Sequence, residues 1–351
     1  MMINVHGGDI YKHKDVIDFS ANINPLGLPR GVKIALMDSI DLAVHYPDVR
    51  CEELCKSLAK YYGIKKNYIL CSNGAADIIF AITAALKPKK ALILAPGFAE
   101  YEQALHAIDA KIFCYRLKEE QGFILKEDFL NAVTKEIDMV FLCNPNNPTG
   151  EVIPKELMMR IIETCKKNKT ILVIDECFIS FLENGAEVSV IKEVERYDNL
   201  IVINAFTKLY AMPGIRLGFA AIGNIKMIEL INKVRQPWSV SVLAQKAGVA
   251  ALEQKEYVAK TKELIRDERS YLMHELLECG FQIYGSKANY IFFKGQKGLF
   301  DLCIKEGILI RDCSNYRGLE EGFYRVAIKG HEENKKLIEV LKRCQNGRNK
   351  E

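Results

Sequence analysis

The sequence predicts an α/β protein, with a large unit on a mostly parallel sheet and a smaller α+β unit after it. Three observations predict this. Short apolar runs rich in branched residues recur at 91–95, 139–143, 171–175, 200–204 and 217–222. Unbroken apolar runs of that length suit strands covered on both faces. Helical patterns over 75–86, 97–107 and 154–169 fall between them, and strands alternating with helices favour parallel crossover connections. Beyond about residue 241 the pattern changes: a long charge-rich helical stretch is followed by a few short strands.

Taken in order, residues 1–45 hold few strong elements and several Gly and Pro, and are expected to form an arm packing on the C-terminal unit. Residues 46–240 form the large unit, which also contains a strand at 68–71 leading into the helix at 75–86. Residues 241–351 form the smaller unit. It is helical over 242–279, with strands at 290–293, 308–311 and 323–328 around a helix at 299–306. A closing helix spans 332–344, and 345–351 is a solvated tail. No internal repeat or low-complexity stretch is present.

With 351 residues, 49% hydrophobic and 27% charged, the chain has ample material for a large core. A net charge of +4 with scattered basic residues argues against bulk nucleic-acid or membrane-surface binding. No apolar run is long enough to span a bilayer. The first fourteen residues are polar, with His6, Asp9 and Lys12, and do not read as a signal peptide, so a cytoplasmic location is expected. Eleven cysteines are dispersed without a Cys-x-x-Cys pair. Cys51 and Cys55 stand one helical turn apart, which suits a metal clip or, more simply, two reduced buried thiols. No metal site is expected.

Four strings carry chemistry. The strongest runs Asn204-Ala-Phe-Thr-Lys-Leu-Tyr-Ala-Met-Pro-Gly-Ile-Arg-Leu-Gly218. A lone lysine usually lies on a solvated face. Lys208, however, follows an apolar strand, and a partly desolvated lysine has a depressed pKa and condenses with aldehydes. Thr207 by its hydroxyl and Arg216 by its fork suit a phosphate. In Ile171-Leu-Val-Ile-Asp175-Glu176 the acid sits at the carboxyl end of a buried strand, where ligands bind in open α/β sheets. Asp175 there either caps the next helix or pairs with a protonated pyridine nitrogen. Asn144-Pro-Asn-Asn-Pro-Thr-Gly150 is at minimum a rigid turn, and Asn147 within it is placed to donate to an anionic ring oxygen. Cys71-Ser-Asn-Gly-Ala-Ala-Asp77 opens a helix whose small residues let backbone amides approach a phosphate.

Together these strings resemble the fold-type I pyridoxal 5′-phosphate (PLP) enzymes, the aspartate aminotransferase superfamily, over about residues 6–342. The resemblance implies the aspartate aminotransferase-like PLP-dependent transferase fold and a homodimer with shared active sites. It matches Lys208 to the Schiff-base lysine, Asp175 to the pyridine partner and Asn147 to the donor at the ring oxygen. Phe98, in Ala-Pro-Gly-Phe-Ala-Glu-Tyr, matches the aromatic stacked on the ring, or else is an ordinary core residue. Ala75 and Ala76 would offer amides to the cofactor phosphate beside Thr207 and Arg216. Tyr46 would reach the phosphate of the neighbouring subunit, and Arg325 would clamp the substrate carboxylate.

Within the superfamily, His6-Gly-Gly-Asp and Asp18-Phe-Ser-Ala-Asn-Ile-Asn-Pro-Leu-Gly27 look like the threonine-phosphate decarboxylases of cobalamin biosynthesis. The related histidinol-phosphate aminotransferases typically carry Asn-Glu-Asn-Pro and lack the His-Gly-Gly arm. Phe178 points the same way, because many aminotransferases have a tyrosine there. Ala205 replaces a Ser or Thr common in relatives, and Lys329 stands where the decarboxylases tend to have arginine. The resemblance thus implies decarboxylation of O-phospho-L-threonine, with transamination of histidinol phosphate or another amino acid as the alternative. His6, Arg30 and Lys329 are candidates for the substrate phosphate, although a plain surface histidine suits His6 as well. A PLP-binding regulator is disfavoured, since the arm has no helix-turn-helix pattern.

Overall fold

The computed structural model describes residues 6–346. Thirteen strands occur in chain order: β1 (Ile17–Asp18), β2 (Ile69–Ser72), β3 (Lys90–Ala95), β4 (Lys111–Arg116), β5 (Met139–Cys143), β6 (Ile171–Asp175), β7 (Leu200–Ala205), β8 (Gly218–Ile222), β9 (Gln282–Tyr284), β10 (Tyr290–Lys294), β11 (Ile308–Leu309), β12 (Arg311–Asp312) and β13 (Phe323–Ala327). The helices are α1 (Arg30–Asp38), α2 (Glu52–Tyr62), α3 (Ala75–Leu86), α4 (Ala99–His106), α5 (Phe129–Ala132), α6 (Lys155–Asn168), α7 (Gly185–Val188), α8 (Ile225–Val234), α9 (Val242–Leu252), α10 (Lys255–Glu278), α11 (Leu299–Lys305) and α12 (His331–Asn346).

The large sheet has the order β2-β8-β7-β6-β5-β3-β4. Pairs among β3 to β7 are parallel, and β8 runs antiparallel to both of its neighbours. Its central strands read as continuous apolar runs because both faces are covered. In β6, Leu172 and Ile174 enter one buried cluster while Val173 enters the other. The alternation of side chains across a strand makes one run serve two cores. Parallel register brings the carboxyl ends of β5, β6 and β7 level, with Cys143 opposite Asp175 and Asp175 opposite Ile203. The segments leaving those three ends carry the Asn147, Asp175 and Lys208 strings.

The C-terminal strands form an antiparallel sheet, β12-β13-β10-β9. The arm joins this unit through β1, which pairs in parallel with β11, and Phe19 O accepts from Ala327 N at 2.7 Å. α1 packs instead on α9, as does α2.

Several expectations change. The single strand expected at 308–311 is two strands in different sheets, β11 on the arm and β12 on β13. The break at Ile310 lets residue 311 enter a second ladder. β1, β4, β9, α1, α2 and α8 were among the elements that went unpredicted. β4 is an edge strand with charged ends and half-buried residues, so it lacks the apolar signature of its neighbours. Most of the expected tail, 347–351, lies outside the described residues.

Candidate active site

The level strand ends open into a cavity of about 330 Å³ between the large sheet and the C-terminal unit. Its walls include His6, Ala75, Ala76, Phe98, Asn147, Asp175, Thr207, Lys208, Arg216 and Arg325. Ten residues singled out from sequence are therefore brought together from seven segments of chain.

Lys208 stands three residues beyond the end of β7. Asn24 of the arm fixes its turn, since its backbone N donates to Lys208 O at 3.1 Å and its Nδ2 to Leu209 O at 2.7 Å. The Asn-Ile-Asn-Pro string thus has a structural reason: a buried amide ties the arm to the lysine loop. Burial penalises the ammonium, and Arg325 and Arg216 repel it, so the Lys208 pKa falls to about 8. An amine so tuned is about half neutral near pH 8 and can attack a carbonyl carbon.

Asp175 is buried at the end of β6. Its Oδ2 accepts from Tyr101 Oη at 2.7 Å and its Oδ1 from Cys177 N at 2.9 Å. Its neighbour Glu176 points the other way, to Ser189 Oγ and Val190 N, and burial pushes its carboxyl up to about 7. The two acids therefore divide the work: one faces the cavity and the other pins a loop.

Asn147 Oδ1 accepts from Arg325 Nη1 and from Tyr316 Oη at 3.4 Å. A guanidinium has no acceptor, so the amide oxygen must face it, and the Asn147 NH₂ is left for another partner. Phe98 caps the start of α4 and meets Tyr101 edge-on, with ring centroids 5.5 Å apart. Phe178 lines the cavity and packs on Tyr290 without a hydroxyl to offer.

The start of α3 is shaped for an anion. Gly74 has φ of 89°, and a Cβ there would lie 2.6 Å from Arg216 Nη2. A Cβ on Gly218 would lie 2.8 Å from Ala75 N. Two glycines thus let a guanidinium and the first helical amides crowd into one cradle, where the helix dipole also favours negative charge. Thr207 adds its hydroxyl. An amine-reactive lysine, a carboxylate at the opposite strand end, an amide donor, an aromatic wall and a phosphate cradle together fit PLP.

Arg325, in β13, is buried. Its Nη2 donates to Ser20 O at 2.8 Å, its plane lies 5.5 Å from the Tyr290 ring centroid, and its Nε has no partner among the described residues. Sequence reasoning missed Arg311, which lies opposite Arg325 in the β12–β13 register. Arg311 is also buried, bonds Asn315 Oδ1 at 2.8 Å and lies over the Tyr316 ring. The signal was available: like Lys208, it is a cation following an apolar run. Glu100 and Tyr101, next to Phe98, were missed too.

Three predicted residues lie off this cavity. Tyr46 is 81% exposed and leans on Trp238, with centroids 4.8 Å apart. Arg30, expected near the substrate phosphate, is exposed at the first turn of α1. Lys329, expected in the same role, is instead held by Glu333 at 2.8 Å over the ring of Phe19. Neither cation lines the cavity.

Comparisons with known proteins agree with this geometry. Residues 14–341 match the family "Aminotransferase class I and II". The threonine-phosphate decarboxylase of Salmonella typhimurium is 35% identical, covering 98% of this chain and 97% of that one. The structure of the histidinol-phosphate aminotransferase from Clostridium acetobutylicum superposes with a TM-score of 0.88 at 32% identity, covering 94% and 99% of the two chains. The histidinol-phosphate aminotransferase of Sinorhizobium meliloti, solved with pyridoxal 5′-phosphate, shares the fold, with a TM-score of 0.84 at 20% identity and coverage of 93% and 90%. The chain therefore belongs to the class I and II aminotransferase family and is a PLP-dependent enzyme of the aspartate aminotransferase-like fold.

Proposed function

We propose that this enzyme decarboxylates O-phospho-L-threonine to (R)-1-aminopropan-2-yl phosphate, a step of cobalamin side-chain synthesis. One observation carries the reading. Arg311 and Arg325 stand opposite each other on neighbouring strands, both buried, on one wall of the cavity. Two guanidinium forks on one wall suit a ligand that carries two anionic groups. A substrate with both a carboxylate and a phosphate supplies two. His6, from the arm, lines the same wall. The 35% identity to a threonine-phosphate decarboxylase supports the assignment.

In this reading Lys208 would hold the cofactor through its amine and would move protons at Cα. Asp175 holds the ring nitrogen protonated, Asn147 bonds the ring oxygen, and Phe98 covers one ring face. Thr207, Arg216, Ala75 and Ala76 hold the cofactor phosphate. PLP, when bound, supplies the electron sink for the pair released at Cα. Arg325 takes the substrate carboxylate, and Arg311 with His6 takes the substrate phosphate. Their grip would fix the orientation of the substrate at Cα, and that orientation would separate loss of carbon dioxide from loss of a proton.

The exposed apolar residues Val44, Tyr46, Val49 and Trp238 support a homodimer in which Tyr46 reaches the neighbouring cofactor phosphate. No helix among the described residues is long and apolar enough to cross a membrane. We place the enzyme in the cytoplasm with small-molecule partners.

Transamination of histidinol phosphate or another amino acid is the second reading, favoured by the 32% identity and near-complete overlay with a histidinol-phosphate aminotransferase. One assay divides them. PLP-loaded enzyme is given O-phospho-L-threonine alone, and separately histidinol phosphate with 2-oxoglutarate. Carbon dioxide released without an oxo acid supports the decarboxylase. Glutamate formed with no carbon dioxide overturns it in favour of the aminotransferase.

A further inference from the structure

Glu100 is a carboxylate in an unexpected place. Acids in the first turn of a helix usually face water, where the dipole stabilises them cheaply. Glu100 occupies such a position in α4, yet it is only 9% exposed and lines the cavity. Its Oε1 lies 3.2 Å from His6 Nδ1, and its Oε2 is buried with no hydrogen-bond partner among the described residues. Burial holds its carboxyl above the usual range, opposed chiefly by the charge of His6. A buried carboxylate with an unsatisfied oxygen lowers stability, and such groups persist where they serve a site.

His6 has the opposite character. Its side chain is 55% exposed, near the start of the described chain. A solvent-facing imidazole on an arm samples many orientations unless something fixes it. The backbone behind it is already fixed. Gly8 N donates to Ser20 Oγ at 2.7 Å, and a Cβ on Gly7 would lie 2.2 Å from Ser20 O, so a side chain there would lift the arm. The same Ser20 O accepts from Arg325. The arm is therefore seated against the arginine wall, and Glu100 is the acid that reaches its imidazole.

We propose that Glu100 is a positioning residue for substrate recognition: by pairing with His6 Nδ1 it turns the other ring nitrogen toward the cavity, to donate to the phosphate of the substrate. This rests on the phosphorylated-substrate reading above and deepens it. Glu100 acts only through His6, so its contribution belongs to phosphorylated ligands and to binding. The cofactor residues do not depend on it.

The test is a double-mutant cycle on the PLP-loaded enzyme, with Glu100→Gln, His6→Gln and both together. Ligand binding is read from the absorbance change of the bound coenzyme, and KM and kcat from turnover. Glu100→Gln is expected to weaken O-phospho-L-threonine about tenfold in KM, with kcat and binding of unphosphorylated L-threonine changed less than about twofold. His6→Gln alone should give a similar loss, and adding Glu100→Gln to it should change little further. Coenzyme titration serves as the check of folding. Equal weakening of both ligands, or losses that multiply in the double variant, would overturn the proposal. Should Glu100→Gln fail to take up coenzyme, His6→Gln decides alone: an unchanged KM for the phosphorylated ligand sinks it. If the wild type prefers histidinol phosphate, the decarboxylase reading fails while the cycle, run with that ligand, still tests Glu100. If the wild type prefers no phosphorylated ligand, both fall.

Discussion

The two walls of the cavity are built differently. The cofactor wall comes from strand ends of one sheet: Asn147 past β5, Asp175 at the end of β6, Lys208 past β7, and the start of α3 past β2. Each residue lies within a few positions of an apolar run, and parallel register aligns those runs. The substrate wall is assembled from distant pieces, with His6 and Ser20 from the arm, Glu100 from α4, and Arg311 and Arg325 from the antiparallel sheet. A wall read out by local motifs is thus joined to one that exists only through tertiary packing. In the reading proposed above, the cofactor chemistry belongs to the first wall and the choice of reaction to the second.

The sharpest way to break this division is to separate the walls by mutation. Lys208→Ala is expected to lower turnover by on the order of 10⁴-fold or more, because no other amine lines the cavity among the described residues. Borohydride followed by mass spectrometry should find a pyridoxyl group on the wild type and none on the variant. Label retained elsewhere would displace Lys208 from the centre of the cofactor wall. Arg325→Met should cost about 10²-fold in kcat/KM, since it also leaves Ser20 O without its donor and Asn147 Oδ1 with only Tyr316 Oη at 3.4 Å. Coenzyme should still saturate the variant. Arg325→Lys should recover little, because an ammonium cannot bridge Asn147, Ser20 and a carboxylate together. Loss of coenzyme binding in Arg325→Met would show that the walls are not separable.

A pH series sharpens the same contrast. With the Lys208 pKa near 8, covalent capture of PLP by the apoprotein should fall about tenfold per unit below pH 8 and level off above it. The sign for stability follows from linkage. The folded chain releases this proton near 8, and the unfolded chain holds it to about 10.5. Between those values the unfolded state binds more protons, so this residue makes apoprotein stability rise with pH across that window. Capture that is flat from pH 6 to 9 would mean that burial and the two arginines do not depress the amine. A smaller effect is expected at Tyr101. Tyr101→Phe keeps the stacking on Phe141 and removes one donor to Asp175, and should weaken coenzyme binding a few-fold, up to about tenfold. No change in a coenzyme titration would leave Asp175 held by Cys177 N alone.

How much of the molecule was legible follows from the same contrast. The central strands and the helices at 75–86 and 154–169 were readable because their burial is two-sided or periodic. β4 and β9 were not, because an edge position leaves a strand half polar. Lys208 stood out because a cation beside an apolar run is rare. Arg311 shows the same signature, but an expected continuous strand over 308–311 hid the break that turns it into the cavity. Glu100 had no local signal at all. Nothing in Phe-Ala-Glu-Tyr reveals that an arm more than ninety residues earlier will cover it. The family resemblance supplied Tyr46 and Arg325, which no local pattern marks.

The smallest effect tests the border of the substrate wall. Arg30 and Lys329 are cations in segments next to residues that do line the cavity, so sequence adjacency nominates them and packing does not. Lys329 is already paired with Glu333 at 2.8 Å and stands 5.7 Å from the Phe19 ring centroid. That partly exposed pair is worth at most about 1 kcal/mol, so Lys329→Gln should lower stability slightly. KM for the phosphorylated substrate should stay within about twofold in Lys329→Gln and in Arg30→Ala, because neither cation lines the cavity, Lys329 is engaged by Glu333, and the exposed Arg30 is screened within about 8 Å at physiological salt. A tenfold rise in KM for Lys329→Gln would mean that its ammonium leaves Glu333 for the substrate, moving the phosphate subsite from Arg311 toward the start of α12. The substrate wall would then be a feature of the liganded enzyme rather than of the fold.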